Sequence, residues 1–160
     1  MRHWLLKSEP DVFSFEDLKH RPRRTEPWNG VRNYQVRNHI RDDMMPGDLG
    51  LFYHSSCAEP GIAGVIAIAS EGKPDPTAFD PSSDYFDPKS DRANPRWFLM
   101  DVTWKADLAR FVPLPELREQ AKLADLLILR RGNRLSITPV EPAHFDLICK
   151  LGGIDPKKLR

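Results

Sequence analysis

Asp48-Leu49-Gly50-Leu51-Phe52-Tyr53-His54-Ser55 and, after a Pro60-Gly61 turn, Ile62-Ala63-Gly64-Val65-Ile66-Ala67-Ile68-Ala69 decide the fold. Each run has the length of a strand. In the second, Ala63, Val65, Ala67 and Ala69 alternate with Ile62, Gly64, Ile66 and Ile68, so both faces are apolar or small. Such a strand is buried on both sides. Gly64 in its middle implies that another group approaches the backbone closely.

Working outward, His3 to Lys7 reads as a short buried strand that stops at Pro10. Ser14 reads as a helix N-cap, with Asp17 in a box-like position, opening a helix to about His20. Arg21 to Trp28 is a basic, proline-broken loop. Arg32 to Asp43 is the clearest helix, because Val36, Ile40 and Met44 recur at i, i+4 and i+8. Lys73 to Pro95 is an acidic loop rich in Pro, Asp and Ser, and loops of that length in compact domains usually carry function. Arg96 to Lys105 reads as a strand, Pro113 to Gln120 and Leu123 to Leu129 as helices, and Arg134 to Thr138 as a strand. Glu141 to Leu151 closes the chain as a helix with Phe145 and Ile148 inward and Gly152-Gly153 as its stop. Strands and helices do not alternate regularly. The expectation is α+β: a curled, mostly antiparallel sheet with flanking helices. The 160 residues suit one domain, taken as 1–153, followed by a short basic tail, 154–160.

Net charge is only +1, so the whole chain makes no strong electrostatic case for nucleic acid. The distribution says more. Lys19 to Arg41 holds seven basic residues and one acid, Glu26, while Asp75 to Asp91 holds five aspartates and one lysine. Cys57 and Cys149 form no CxxC or Cys/His cluster, and the five histidines show no HxxxH or HExxH pair, so no metal site is expected. Gly61-Ile62-Ala63-Gly64 is not a phosphate loop, and no cofactor is expected. No apolar run approaches a membrane helix, and the amino terminus lacks a signal-peptide pattern. The default reading is cytoplasmic, or nuclear in a eukaryotic host.

Catalytic spacing is poor. His54, Ser55, Ser56 and Cys57 sit together after a strand, but adjacency supplies neither an oriented base nor a nucleophile elbow. Binding readings are stronger. Trp28-Asn29-Gly30-Val31-Arg32-Asn33-Tyr34 sets an aromatic face, a flexible turn and polar side chains before and within the first turn of the basic helix. Trp28 is either a core residue held by a tight Asn-Gly turn or a platform for a stacked base, and both readings stay open on the residues alone. Asn33 carries donors and an acceptor that suit a base edge. Lys7-Ser8-Glu9 is a converging polar set or an exposed strand end. Arg131, Arg134 and Ser136 form a solvated basic turn or a phosphate contact.

These segments together resemble the EVE domain family from Trp4 to about Leu151. The marks are Trp4-Leu5-Leu6-Lys7-Ser8-Glu9-Pro10, Trp28 to Gln35, Gly47-Asp48, Leu51-Phe52-Tyr53-His54-Ser55, Tyr85-Phe86-Asp87-Pro88-Lys89-Ser90, Pro95-Arg96-Trp97 and Arg131-Gly132-Asn133-Arg134-Leu135-Ser136. The resemblance implies a PUA-like, barrel-like sheet related to YTH and ASCH domains. It implies a non-catalytic pocket for a modified base, of the 5-methylcytosine type on DNA; a monomer is the default expectation. Carried over by position, Lys7, Ser8, Trp28, Asn29, Gly30, Val31, Arg32, Asn33, Tyr34, Tyr53 and His54 line the pocket. Glu9, Arg134 and Ser136 join them as ligand-binding candidates from the residues themselves, Arg134 toward flanking phosphates. The partner is then a nucleic acid bearing a modified base, or a base-like small molecule. The family commonly has aspartate at the position of Asn29. The alternatives are a PUA-like RNA binder without mark selectivity, or an enzyme on a nucleotide-like molecule using Glu9, Tyr53 or His54.

Overall fold

The computed structural model describes residues 1–160. Its elements run β1 (His3–Ser8), α1 (Phe15–Lys19), β2 (Thr25–Pro27), α2 (Tyr34–Asn38), β3 (Leu49–His54), β4 (Gly61–Ile68), β5 (Lys73–Pro74), β6 (Phe98–Leu99), β7 (Asp101–Pro113), α3 (Leu114–Glu119), β8 (Ile137–Val140) and α4 (Pro142–Leu151). Six strands form one curled half-barrel in the order β2-β7-β4-β3-β1-β8, and β5 and β6 pair separately. Every pair in the large sheet is antiparallel except β1 with β3. The expectation of a curled, mostly antiparallel α+β sheet with flanking helices therefore holds.

The central strands are buried on both faces, as their composition requires. Leu5, Leu49, Leu51 and Val65 pack with Phe145, Ile148 and Leu117 on one side. Trp4, Leu6, Phe52 and Ile66 pack with Phe15, Leu18, Val36, Ile40 and Met44 on the other. Strict alternation along β4 breaks where its register shifts between Ile62 and Gly64. Ile62 consequently joins the face of Val65 instead of that of Ile66. The group predicted to approach Gly64 is the Phe15 ring, whose Cζ lies 2.1 Å from where a β-carbon would sit.

Several boundaries moved for local physical reasons. The Ser14–Asp17 capping box forms with both reciprocal bonds. The second helix begins only at Tyr34, because Asn33 takes extended dihedrals and its side chain caps Val36. It relaxes after Asn38 into a π turn over His39–Asp43, where Met44 N–H reaches back to the His39 carbonyl. Thr25 to Pro27, expected as loop, pairs with the start of β7. That strand runs to Pro113, well past Lys105, since its 106–112 stretch pairs along β4 on one side only and tolerates exposed polar residues. Leu123 to Leu129 forms 3-10 turns instead of a helix, broken by extended Leu126. The final strand is Ile137–Val140. The last residues make a 3-10 turn, Pro156–Leu159, with Leu159 in the core.

The acidic loop is ordered by its own aspartates. Asp75, Asp80, Asp87 and Asp91 each accept a hydrogen bond from the backbone N–H two residues on. This Asx-turn repeat folds a stretch that has little apolar surface to bury. No helix is long and apolar enough to cross a membrane.

The Phe15–Gly64 contact is testable. Gly64→Ala is expected to cost about 1–3 kcal/mol through overpacking. A Phe15→Leu change in the same chain should cost less in the Gly64→Ala background than alone. Urea unfolding of the four proteins measures this, and simple additivity would disprove the contact.

Candidate functional site

A hollow of about 440 Å³ opens where the ends of β1 and β2 meet the Trp28–Arg32 loop. That is within the size range of small-ligand sites. Lys7, Ser8 and Glu9 form one wall, Trp28 to Arg32 another, and Tyr85 and Ser136 complete it with Val12, Phe13, Glu26 and Pro27.

Trp28 is half-buried in the wall. Phe52 and Phe13 meet it edge-on at 5.7 and 6.3 Å, with interplanar angles of 89° and 77°. Its backbone N–H donates to the Met100 carbonyl. The ring is thus braced from behind while lining the hollow. The other three indoles each donate to an aspartate: Trp4 to Asp48, Trp97 to Asp87 and Trp104 to Asp107. Trp28 Nε1 alone has no protein acceptor.

The opposite lip comes from the acidic loop. Asp75 is fully buried and accepts from Gly30 N–H, Arg32 Nη1, Thr77 N–H and Thr77 Oγ1. Arg32 also donates to the Val31 and Tyr85 carbonyls. Gly30 has φ +82°, and a β-carbon there would lie 2.6 Å from the Tyr85 ring. Glycine is required both for the left-handed backbone and for Tyr85 to close over it. Burial alone would raise the Asp75 carboxyl, but the hydrogen bonds from Thr77, Gly30 and Arg32 outweigh it and the net shift is downward.

The EVE domain signature matches residues 2–151. The chain belongs to the EVE domain family. It is 40% identical to human thymocyte nuclear protein 1 over 170 residues, covering 96% of this chain and 75% of that protein. A crystal structure of the human protein in complex with 5-methylcytosine-containing DNA matches with TM-score 0.89 and 40% identity, covering 98% of this chain and all of that one. A Pseudomonas syringae protein matches with TM-score 0.88 and 42% identity over 94% of this chain and 99% of its own.

Of the residues singled out from sequence, this EVE hollow gathers Lys7, Ser8, Glu9, Trp28, Asn29, Gly30, Val31, Arg32 and Ser136. The other five lie outside its lining. Asn33 Oδ1 caps α2 by accepting the Val36 N–H. Tyr34 turns away and stacks on Trp97. Tyr53 alternates with Phe52 along β3 and points into the opposite core, where burial raises its hydroxyl. His54 Nε2 accepts the Phe15 N–H at 3.1 Å, and burial lowers its pKa. Arg134 is exposed on its turn. Within the hollow, Ser8 Oγ already donates to the Phe13 carbonyl.

Tyr85, Val12, Phe13 and Glu26 are lining residues that the sequence did not single out for binding. The length of the Lys73–Pro95 loop was the available signal for Tyr85. Lys7 has no carboxylate partner, and burial lowers its pKa. An acceptor placed in the hollow would restore solvation that Lys7 has lost. Glu9 is exposed at the rim, and Glu26 is paired with Arg21.

Removing the Asp75 carboxylate should loosen the Tyr85 lip. Asp75→Ala is expected to cost on the order of 3 kcal/mol, because it strands Arg32 and the Gly30 N–H. With the folded pKa below the unfolded value near 3.9, this stability is complete above that value and fades as pH falls through the lower folded one. Acid unfolding monitored across pH 2–5 (about the range of carboxylate titration) should be shallower at its lowest end in Asp75→Ala than in the parent.

Proposed function

We propose that this chain is a non-catalytic DNA-binding domain that reads a modified base of the 5-methylcytosine type in the Trp28 hollow. The observation that carries the reading is a braced indole lining a polar hollow, in a chain similar along almost its whole length to a human protein crystallised with 5-methylcytosine-containing DNA.

A base leaves the stack and lies against Trp28, a contact worth about 1–3 kcal/mol. Donors and acceptors around it suit a cytosine edge. Lys7 faces the hollow with an unpaired ammonium for the O2 and N3 acceptors. Glu9 has no partner and can accept from the N4 amine, the usual carboxylate contact to cytosine. Tyr85 closes the far side, held over Gly30 by the Arg32–Asp75 knot. In this reading Lys7 and Glu9 take the edge-reading role that the sequence suggested for Asn33.

Chemistry on the base has little support in this lining. No histidine or cysteine lines the hollow. His54 is the β3 neighbour of Ser8, but Ser8 Oγ donates to the Phe13 carbonyl and His54 Nε2 accepts the Phe15 N–H, so the two are not arranged as nucleophile and base.

The expected result is tighter binding of a DNA strand carrying one 5-methylcytosine than of the same strand unmodified, read by titration. Trp28→Ala should lower affinity for the modified strand by about 5- to 150-fold, the stacking range above. Quenching of Trp28 should be lost in Trp28→Phe, which separates it from the other three indoles. Equal affinity for both strands would remove the reading.

A further inference from the structure

We propose that a second hollow, lined by Tyr34, Arg37, Arg41, Lys89 and Arg96, seats phosphodiesters of the strand whose base occupies the first. The proposal rests on the base-reading function for its partner and on separate residues for its evidence.

This hollow measures about 370 Å³. Four of its eight lining residues are cations and one, Asp91, is an acid. Asp91 is partly occupied, since its Oδ1 accepts the Ala93 N–H. Arg37 is fixed without a carboxylate: its Nη1 donates to the Arg96 carbonyl and its Nε to Asn38. Lys89 is exposed, its backbone N–H is held by Asp87, and its ammonium has no partner. Arg41 and Arg96 pair with Asp42 and Asp87, contacts that leave guanidinium donors free.

An aromatic platform stands among these cations. Tyr34 is 52% exposed yet stacked on buried Trp97, with ring centroids 4.8 Å apart and planes 25° from parallel. Arg37 lies 5.0 Å from the Tyr34 ring. Trp97 is itself anchored by donation to Asp87 at 2.7 Å. A cationic groove with a rigid exposed ring is the arrangement that tracks a single strand, with the backbone on the cations and a base on the ring.

The two hollows share no lining residue but are linked by packing through Arg32. The Arg32 guanidinium carbon sits 5.5 Å from the Trp97 ring and 5.7 Å from the Tyr85 ring. Trp97 supports Tyr34 at the second hollow, and Tyr85 lines the first. The strand would follow that line of contacts from one hollow to the other. A free anion would explain the cations but not the stacked, exposed tyrosine.

The test uses Lys89→Gln and Arg41→Gln in the full chain; both side chains are exposed, that of Lys89 has no partner, and that of Arg41 contacts only exposed Asp42 and Asn38. Binding of an unmodified single-stranded DNA is titrated from about 50 to 200 mM salt. Each substitution should reduce the slope of log affinity against log salt by about one. It should weaken modified and unmodified strands equally, leaving their ratio intact. Trp28→Ala should do the opposite, collapsing the ratio and keeping the slope. Slope loss without any mark preference would keep this proposal and end the base reading. Mark preference with unchanged slopes would end this proposal alone. Protection by inorganic phosphate with an unchanged DNA slope would assign the hollow to a free anion and overturn it.

Discussion

The hollow depends on one carboxylate taken out of water. Asp75 lies in the acidic loop, and its partners lie on both sides of the hollow: Gly30 and Arg32 on the Trp28 loop, Thr77 on its own. Val31 and Trp28 tie the first loop to the core, but the acidic loop has little apolar surface of its own to bury. Desolvating a carboxylate costs several kcal/mol, which must be offset by good geometry and by satisfying its lone pairs. Four donors do that here. The net gain in stability from such a knot is small, but it admits few alternative arrangements, and it sets where Tyr85 stands relative to Trp28. The same guanidinium then reaches the Tyr85 carbonyl and the Trp97 ring. The two opposed charge blocks of the sequence are therefore two sides of one packing arrangement.

What could be read from sequence was what local periodicity and steric need encode. Two-sided burial of β4, the inward Val36, Ile40 and Met44, the Ser14 cap and the intruder at Gly64 all follow from residue type and spacing. What could not be read depends on partners distant in the chain. A register shift in β4 is invisible to alternation, and β7 beyond Lys105 looks like loop because its strand pairing, not its side chains, defines it. Nine of fourteen proposed site residues line the hollow. Of the other five, Tyr53 and His54 follow core Phe52 along β3, Asn33 and Tyr34 follow Arg32 into the start of α2, and Arg134 stands on an exposed turn. On a strand or at a helix start, one residue along means the opposite face.

The tryptophans separate structure from binding more sharply than composition does. An indole N–H inside a fold needs an acceptor, and three of the four use a carboxylate. A protein that meets this need three times with aspartate has left the fourth unpaired where the ring lines the candidate site. The bracing by Phe13 and Phe52 has a related effect. An aromatic that is already immobile loses little entropy when a base stacks on it. Edge-on packing from behind thus raises the affinity of the open face without contributing a contact to the ligand.

A methyl group on cytosine is a small feature to recognise. Burying it contributes about 0.8 kcal/mol, roughly fourfold in affinity, if the surroundings are merely apolar. Larger selectivity needs a hollow that fits the methylated base and leaves a void with the plain one, since a cavity that cannot collapse adds its own cost. Rigidity is the requirement, and it is found on both sides: a braced indole on one, and on the other a tyrosine held against a glycine that has no β-carbon to keep it away. Under the proposed function, the knot at Asp75 matters to selectivity for that reason. A lip free to move inward would close the void beside an unmethylated base and erase the difference, whereas a lip fixed by four hydrogen bonds to a buried carboxylate preserves it.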